Sequence, residues 1–410
     1  CIDQRHTFEC DTLNDRVSRR QSTNSQPSPT MSYFQQVFDA EEIADGIAEW
    51  ASIESPSFDT AAVNRMMDHV ERTMSAMGAA IERTPGTDQY GDVLRARFHW
   101  GDGPGILILG HLDTVHLVGT LSKSLSITRD GDKLFGPGVL DMKGGMYLAV
   151  HAISKIIERQ VHLGLPVTFM FIPDEEVGSP STKALIELEA KTHRYVLVPE
   201  PGKPDKFVTG RHAFLRYKLH TYGQPAHAGV AKGVGRSAIS VMAQLITKIE
   251  GFSDFEREMT FRVGVIEGGN FVNVIPTECH AEVLCVAPTA EAFAEVQAIM
   301  DNLTSPDPNV RLKIELGPIR PLFTMHEATK ELFEVAQRVA RDIGLDLGHG
   351  QFGGGSDGNF TGALGIPTLD GLGVCGDGVH TKQEHLFVSS LEPRARLFAG
   401  LLEELSKRNR

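Results

Sequence analysis

Acidic residues and histidines follow several apolar segments of this 410-residue chain. The segment 106–109 leads into His111, and the segment 167–172 leads into Asp174-Glu175-Glu176. A third apolar segment precedes Glu200. Short apolar runs of this kind predict buried strands. Because open α/β sheets carry their sites at the carboxyl ends of parallel strands, we expect these side chains to converge.

The residue types in this set are those that bind divalent metals. Asp141 lies in a glycine-rich turn, and His380 lies in a glycine-rich segment near the end of the chain. Each residue alone has an ordinary explanation, such as a histidine at a strand edge or an aspartate that caps a helix. Two histidines and three carboxylates together fit zinc. The set therefore indicates a metallohydrolase.

The acidic trio Asp174-Glu175-Glu176 is difficult to explain as a surface charge run, since it follows six residues without a charge. A bound divalent ion relieves the repulsion between neighbouring carboxylates. Neighbouring side chains of an extended segment point to opposite sides. One of Glu175 and Glu176 can therefore bind metal while the other faces the substrate as a general base.

Strand and helix patterns alternate through the first half of the chain. Helices are predicted over residues 38–51, 61–77, 144–159 and 181–191, and strands over 92–98, 105–109, 167–172 and 195–198. The same pattern returns after about residue 318, with a helix predicted over 327–343. This alternation predicts an α/β fold, with a largely parallel sheet and helices on both faces.

The pattern changes near residue 205. A strand at 214–220 is followed by a helix at 237–250, strands at 260–266 and 278–286, a helix at 289–303 and a strand at 310–315. This order is that of a ferredoxin-like α+β domain. We therefore predict a catalytic domain in two parts, 31–205 and 317–410, with an inserted domain at 206–316. Residues 1–30 are polar and without periodicity, so they are predicted to be a disordered extension.

Composition excludes several classes of partner. The net charge of -13 disfavours nucleic acid and anionic membranes, and no apolar run is long enough to cross a bilayer. Five cysteines without a closely spaced metal-binding pair indicate reduced thiols in a cytoplasmic protein.

Seven short motifs occur along the chain in the following order. They are Gly110-His111-Leu112-Asp113-Thr114-Val115, Gly136-Pro137-Gly138 with Asp141-Met142-Lys143-Gly144-Gly145, Asp174-Glu175-Glu176-Val177-Gly178-Ser179, Glu200-Pro201, Gly223-Gln224-Pro225-Ala226-His227-Ala228-Gly229, Asn273-Val274-Ile275-Pro276 and Gly353-Gly354-Gly355-Ser356-Asp357. They resemble the zinc peptidase family that contains glutamate carboxypeptidase, aminoacylase, acetylornithine deacetylase and succinyl-diaminopimelate desuccinylase. The resemblance covers essentially the whole chain from Met31.

The resemblance implies two zinc ions, for which cobalt or manganese can substitute, and a homodimer. The implied ligands are Asp141 between both ions, His111 and Glu200 at one ion, and Glu176 and His380 at the other. Glu175 would be the general base that takes a proton from the bridging water and passes it to the leaving amine. Asp113 would support His111. His227 would reach the active site of the partner subunit, so that the inserted domain serves as both lid and dimerisation surface.

His385 is a rival for the last metal ligand. His380 is preferred because the family places this histidine in a glycine-rich approach, and Gly376-Asp377-Gly378 precedes it.

Within this family the chain is most similar to the carboxypeptidase branch, which removes a C-terminal glutamate from folate-like or peptide substrates. Asn273, Arg320 and Ser356 are the expected substrate contacts, since a guanidinium suits a carboxylate. The segment 282–286 lacks the arginine that many relatives place there. An N-acyl amino acid deacylase and an inactive metal-binding scaffold are the alternatives. Phosphoester hydrolysis is not favoured, since no basic cluster is present to bind phosphate.

Overall fold

The computed structural model describes residues 38–87, 89–229 and 233–408. The predicted disordered extension at residues 1–30 lies outside this part of the chain. The helices of the described residues are α1 (Ala40–Ala51), α2 (Thr60–Ala76), α3 (Thr120–Lys123), α4 (Lys143–Glu158), α5 (Lys183–Ala190), α6 (Ala238–Glu250), α7 (Ala290–Asp301), α8 (Glu327–Asp342), α9 (Gly358–Ala363) and α10 (Leu391–Lys407). None of these helices combines the length and the apolar character that a bilayer span requires.

The strands of the same residues are β1 (Ala80–Thr84), β2 (Val93–Phe98), β3 (Ile106–His111), β4 (Thr128–Asp130), β5 (Lys133–Phe135), β6 (Val167–Ile172), β7 (Tyr195–Leu197), β8 (Lys206–Arg211), β9 (Ala213–Tyr222), β10 (Thr260–Gly268), β11 (Glu278–Ala287), β12 (Arg311–Arg320), β13 (Gly348–Phe352), β14 (Thr368–Leu369), β15 (Gly376–Asp377) and β16 (His385–Phe387).

The largest sheet has the strand order β1-β2-β6-β3-β7-β14. The pairs β6/β3, β3/β7 and β7/β14 are parallel, whereas β1 and β2 form antiparallel pairs at one edge. The sheet is thus mostly parallel, and the predicted α/β fold class is confirmed.

Strand β3 shows why the central segments of this sheet are apolar throughout. Ile106 and Ile108 pack into the core that includes α1, α4 and α10, whereas Leu107 and Leu109 pack into a second cluster on the other face. Because both faces of a parallel sheet are covered, a continuous apolar run rather than an alternating pattern is required. The run ends at His111, which lies at the carboxyl end of β3.

A second, antiparallel sheet has the order β10-β11-β9-β12, and we call it the small sheet. Its strands and helices follow the predicted order of strand, helix, two strands, helix and strand. Helices α6 and α7 cover one face and share a separate apolar core with the alternate residues of β9. The predicted bounds of the inserted domain stay a prediction.

Strand β12 is longer than the predicted segment 310–315. Its pairing with β9 shifts between Leu316 and Ile319 and then continues to Arg320. The intervening Gly317-Pro318 resembles a strand end in sequence, but glycine and proline are also tolerated at bulges. Arg320 is therefore the last residue of β12 instead of following it, and the predicted boundary at 316/317 lies inside this strand.

Candidate metal centre

The structure brings five of the predicted residues together in two groups of possible metal ligands. His111, Asp141 and Glu200 form one group, and Asp141, Glu176 and His380 form the other. Within each group the ligand atoms lie within 4.8 Å of one another. Asp141 belongs to both groups, which is the arrangement that a shared carboxylate requires.

His111 is held in one orientation by its surroundings. The residue is completely buried, and its Nδ1 lies 3.0 Å from the backbone oxygen of Asp113. A proton on Nδ1 donates to this oxygen, so that loss of the Nε2 proton on metal binding would leave an Nε2 lone pair facing the ligand group. Nε2 lies 3.3 Å from Oδ1 of Asp141 and 3.8 Å from Oε1 of Glu200.

Asp141 lies in a loop whose backbone is hydrogen-bonded to the side chain of Glu384. The buried carboxylate of Glu384 accepts hydrogen bonds from the backbone N–H groups of Gly138, Leu140 and Asp141. The peptide bond between Asp141 and Met142 is cis. The other oxygen of Asp141, Oδ2, lies 3.3 Å from Nε2 of His380.

Two glycines allow helix α4 to start close to the ligand group. A Cβ at Gly145 would lie 1.8 Å from the backbone oxygen of Pro199, the residue before Glu200. A Cβ at Gly144 would lie 2.0 Å from the backbone oxygen of Val139. The Gly144-Gly145 pair thus lets the Asp141 loop and the Glu200 segment approach each other.

Glu176 and His380 complete the second group. Oε2 of Glu176 lies 3.0 Å from Nε2 of His380, whose φ of 63° is in the left-handed region. Oε1 of Glu176 is buried and, among the described residues, has no hydrogen-bond partner. A buried carboxylate oxygen without a partner is costly, and a metal ion would satisfy it.

The charges of this cluster compensate one another only in part. Burial raises the pKa of Glu176 to about 7, and the neighbouring charge of Asp141 contributes. Burial and Asp141 likewise raise the pKa of Glu200 well above its usual range. Hydrogen bonds to Asp141 and Glu176 raise the pKa of His380 to about 11. Without metal, the cluster therefore retains protons that a divalent cation would displace.

Burial opposes ionisation of Asp141 itself. Hydrogen bonds with His111 and His380 outweigh this effect and hold the pKa of the carboxyl below its usual range. Asp141 is thus ionised between two imidazoles, as a metal-bridging carboxylate must be. The donor set fits one or two divalent cations.

Glu175 and Asp113 adjoin this cluster. Oε2 of Glu175 lies 3.8 Å from Nε2 of His111, and its Oε1 lies 2.7 Å from a guanidinium nitrogen of Arg320. The buried carboxylate of Asp113 accepts hydrogen bonds from Ser57 and from the backbone N–H groups of Glu175 and Glu176. Asp113 therefore connects the end of β3 to the acidic turn after β6.

Asp174 has a different role from its two acidic neighbours. It accepts hydrogen bonds from Ser181 and Thr182, just before α5. Burial raises its pKa to about 6. Asp174 thus stabilises the turn that presents Glu175 and Glu176.

The predicted substrate contacts Arg320 and Ser356 are both buried. Arg320 contacts Glu175 and, at 2.9 Å, Asp357. The hydroxyl of Ser356 donates to Asp370 at 2.5 Å, and Asp370 also pairs with Arg211. Both polar groups are occupied by protein partners, and their contact with substrate stays a prediction.

His227 and Asn273 lie together, but on the small sheet's loops and not in the carboxylate cluster. His227 pairs with Val274, and the N–H of Ala228 donates to the backbone oxygen of Asn273 at 3.0 Å. Both His227 and Asn273 are exposed. Their roles toward substrate stay predictions.

Sequence reasoning missed the structural role of Glu384. Only its neighbour His385 was considered as a candidate ligand from the sequence, and His385 is buried with Nδ1 against the backbone oxygen of Gln383. Nε2 of His116 lies 2.7 Å from Glu384. Glutamate at this position carries no local signal, because its partners lie more than 240 residues earlier in the chain.

Residues 107–404 match the sequence pattern of Peptidase family M20/M25/M40. The chain belongs to this family. Carboxypeptidase G2 of Pseudomonas sp. (strain RS-16) is 27% identical over 363 residues, 86% of this chain and 87% of that protein. The uncharacterized protein YqjE of Bacillus subtilis (strain 168) is 27% identical over 308 residues, 74% of this chain and 81% of that protein.

Solved structures of peptidases have the same fold. A tripeptidase from Staphylococcus aureus has a TM-score of 0.70 at 20% identity, covering 91% of this chain and 100% of that chain. An M20 family metallo-carboxypeptidase from Sulfolobus solfataricus has a TM-score of 0.69 at 16% identity, covering 90% of this chain and 100% of that chain.

These findings confirm the predicted family and the prediction of an enzyme. The protein is a carboxypeptidase-like hydrolase of the M20 family, which is a metal-dependent peptidase family. The described residues include the candidate metal-binding groups that such an enzyme needs.

Proposed function

We propose that the protein is a dizinc carboxypeptidase that hydrolyses the amide bond next to a free carboxylate and releases a C-terminal glutamate. The substrate would be a small peptide or an acyl amino acid. The observation that supports this most directly is the position of Asp141, which offers one oxygen to each of two ligand groups beside Glu175. The similarity to carboxypeptidase G2 supports the choice of branch.

Two zinc ions are the proposed cofactors. His111, Asp141 and Glu200 would hold one ion, and Asp141, Glu176 and His380 would hold the other. Bound zinc polarises a carbonyl oxygen and lowers the pKa of a water molecule. Two imidazoles with carboxylates suit zinc, although cobalt or manganese can occupy the same donors.

Glu175 is proposed as the general base. Arg320 holds one carboxylate oxygen, while the other oxygen faces the cluster near His111. From this position Glu175 accepts a proton from the attacking water and delivers it to the leaving amine. Asp113 supports both His111 and the acidic turn, so that base and ligands keep their relative positions.

A homodimer through the small sheet is part of the proposal. Strand β10 is an edge of this sheet, and Val265, Ile266, Phe271 and Val272 in or beside it are exposed apolar residues. An exposed apolar edge strand favours pairing with another chain. A second copy that covers this edge would bring its His227 toward the first copy's site, where the imidazole would help to hold the oxyanion. Asn273, next to His227, would contact substrate.

We also propose a cytoplasmic location. Cys279, Cys285 and Cys375 are buried free thiols, which are typical of proteins in reducing compartments.

The first experiment is an assay of released amine with zinc-loaded enzyme against a small substrate panel. The panel contains N-acetyl amino acids, acyl-glutamates including a folate, and dipeptides, each with and without a chelator. We expect chelator-sensitive release of glutamate from the folate and peptide substrates.

Other outcomes separate the alternatives. Release only from acetyl or succinyl amino acids would identify a deacylase with the same ligands. No release from any substrate, with two zinc ions bound, would support the inactive scaffold instead.

A further inference from the structure

Arg216 lies on the face of the small sheet that is not covered by α6 and α7. The residues on either side of it in β9, Leu215 and Tyr217, belong to the apolar core between the small sheet and its helices. Because side chains alternate along a strand, Arg216 points to the opposite face of the sheet. A Cβ at Gly178 would lie 2.3 Å from Nη1 of Arg216. The guanidinium therefore packs directly on the turn that carries Glu175 and Glu176.

This guanidinium lacks the partners that the neighbouring buried arginines have. Nη1 of Arg216 is buried and, in the described part of the chain, forms no hydrogen bond. By contrast, Arg320 pairs with Glu175 and Asp357, and Arg211 pairs with Asp370. A buried donor without an acceptor costs free energy, and the cost is greater for a charged group.

The adjoining strands supply no acceptor at this position. Leu284 of β11 is directly opposite Arg216, and the Gly317-Pro318 bulge of β12 lies on its other side. The nearest acid along β11, Glu282, lies 3.5 Å from Nζ of Lys218. Among the described residues, Arg216 is thus a cation beside the candidate metal centre whose Nη1 has no acceptor.

Electrostatics agrees with this geometry. Burial lowers the pKa of Arg216, and the positive charge of Arg320 lowers it further. Glu175 and Glu176 act in the opposite direction but are held by other contacts. An additional anion at Arg216 would offset both the free-energy cost of burying the guanidinium charge and its repulsion from Arg320.

We propose that Arg216 binds a carboxylate of the substrate and makes the enzyme selective for acidic substrates. This inference rests on the proposed function. The guanidinium is a planar fork that matches a carboxylate, and it packs on Gly178 in the turn that carries the proposed base Glu175. The carboxylate could be the C-terminal one or that of an acidic side chain.

The test compares Arg216→Gln with wild type on three substrates that share one acyl group. They are the acyl-glutamate, the acyl-glutamine, which lacks the side-chain carboxylate, and the acyl-glutamate α-amide, which lacks the C-terminal one. Lys218→Gln is the matched control, because it removes a positive charge two residues along the same face. Arg216→Lys keeps the charge without the fork, and zinc content is measured for every variant.

We expect Arg216→Gln to lower kcat/KM for the acyl-glutamate by about 10- to 100-fold, the effect of a lost charged hydrogen bond. Lys218→Gln should change it by less than about threefold. The substrate that lacks the carboxylate bound by Arg216 should be insensitive to the substitution. If kcat/KM for the acyl-glutamine does not change in Arg216→Gln, Arg216 binds the side-chain carboxylate of the substrate. If kcat/KM for the α-amide does not change, Arg216 binds the C-terminal carboxylate of the substrate.

An equal loss on all three substrates, or no loss on any, would overturn the proposal. If wild type hydrolyses none of them, the proposed function fails, and the anion site is tested by thermal unfolding with glutarate. Stabilisation of the wild type that Arg216→Gln abolishes and Lys218→Gln retains would support the site. Equal stabilisation of wild type and Arg216→Gln would refute it.

Discussion

The two carboxylate oxygens of Glu175 lie next to different basic groups, Oε2 at 3.8 Å from the His111 imidazole and Oε1 at 2.7 Å from the Arg320 guanidinium. The substitution Glu175→Gln keeps the size of the side chain and removes its capacity to accept a proton. We expect it to retain zinc and fold while kcat falls by about 100- to 10,000-fold. Metal analysis together with steady-state kinetics on an acyl-glutamate checks this. A kcat of Glu175→Gln close to that of the wild type would contradict the assignment of Glu175 as the base.

Glu384 offers a second test, because its carboxylate accepts three backbone N–H groups of the Asp141 loop. A glutamine has only one acceptor oxygen, and its NH2 would face N–H donors. We expect Glu384→Gln to weaken zinc binding by about 10- to 100-fold, as loss of a supporting contact usually does. Competition with a chelator measures this affinity. Asp377→Asn, which changes an exposed acid of the same segment, is the control, and equal affinities in both variants would contradict the prediction.

The residues that converge in the candidate metal centre were predictable, whereas the residues that hold them in place were not. His111, Glu176 and Glu200 follow apolar runs, so their convergence follows from the parallel sheet. Glu384 and Arg216 act through partners that are distant in sequence, on different strands or loops. No local pattern of residue types distinguishes such contacts from those of an ordinary surface acid or base.

At the scale of elements, helix α4 contains a buried histidine that should make the fold sensitive to acid. His151 lies against Phe38 and Tyr147, and its Nε2 has no hydrogen-bond partner among the described residues. Burial lowers the pKa of His151. The unfolded chain therefore binds this proton more tightly, and the free energy of unfolding falls as the pH drops below about 6.5.

The substitution His151→Leu removes this titration and keeps an apolar side chain in place. We expect the free energy of unfolding to decrease less between pH 7 and pH 5.5 in the variant than in the wild type. Denaturant unfolding at several pH values measures the difference, with the same substitution at the exposed His99 as control. Parallel pH dependences of wild type and His151→Leu would show that another group is responsible.

Long periodic elements were predicted to within a few residues, but short ones were not. The segments of β3 and β6 are apolar on both faces and were recognised, whereas β14 and β15 span two residues each and show no periodicity. Strand β12 was predicted too short because its Gly317-Pro318 bulge resembles a terminus. Tertiary pairing, which local sequence does not encode, decides these cases.

At the scale of the whole molecule, the proposed dimer makes a distinctive prediction for mixed subunits. His227→Ala should lower kcat with little effect on zinc content, since His227 belongs to neither ligand group of its own chain. A mixture of His227→Ala and Glu175→Gln subunits should then recover about one quarter of wild-type activity. The reason is that one site of each heterodimer receives both an intact base and an intact partner histidine.

The measurement is activity after the two variants are unfolded together and refolded, compared with each variant refolded alone. Sedimentation checks that dimers form. If dimers form but the refolded mixture is no more active than the separate variants, His227 does not act in the active site of the partner subunit. Sequence alone cannot decide this question, because the exposed apolar residues of β10 are recognised as a patch only after the sheet has formed.

Asp141 gives one oxygen to His111's group and the other to His380's group. If each group binds an ion as proposed, the two binding events are therefore thermodynamically linked. The factor by which an ion in one group changes the affinity of the other group equals the factor by which an ion in the other group changes the affinity of the first. Removal of ions by a chelator should therefore not proceed as two independent events. The titration curve would report the sign of this cooperativity, and we expect Asp141 to transmit it.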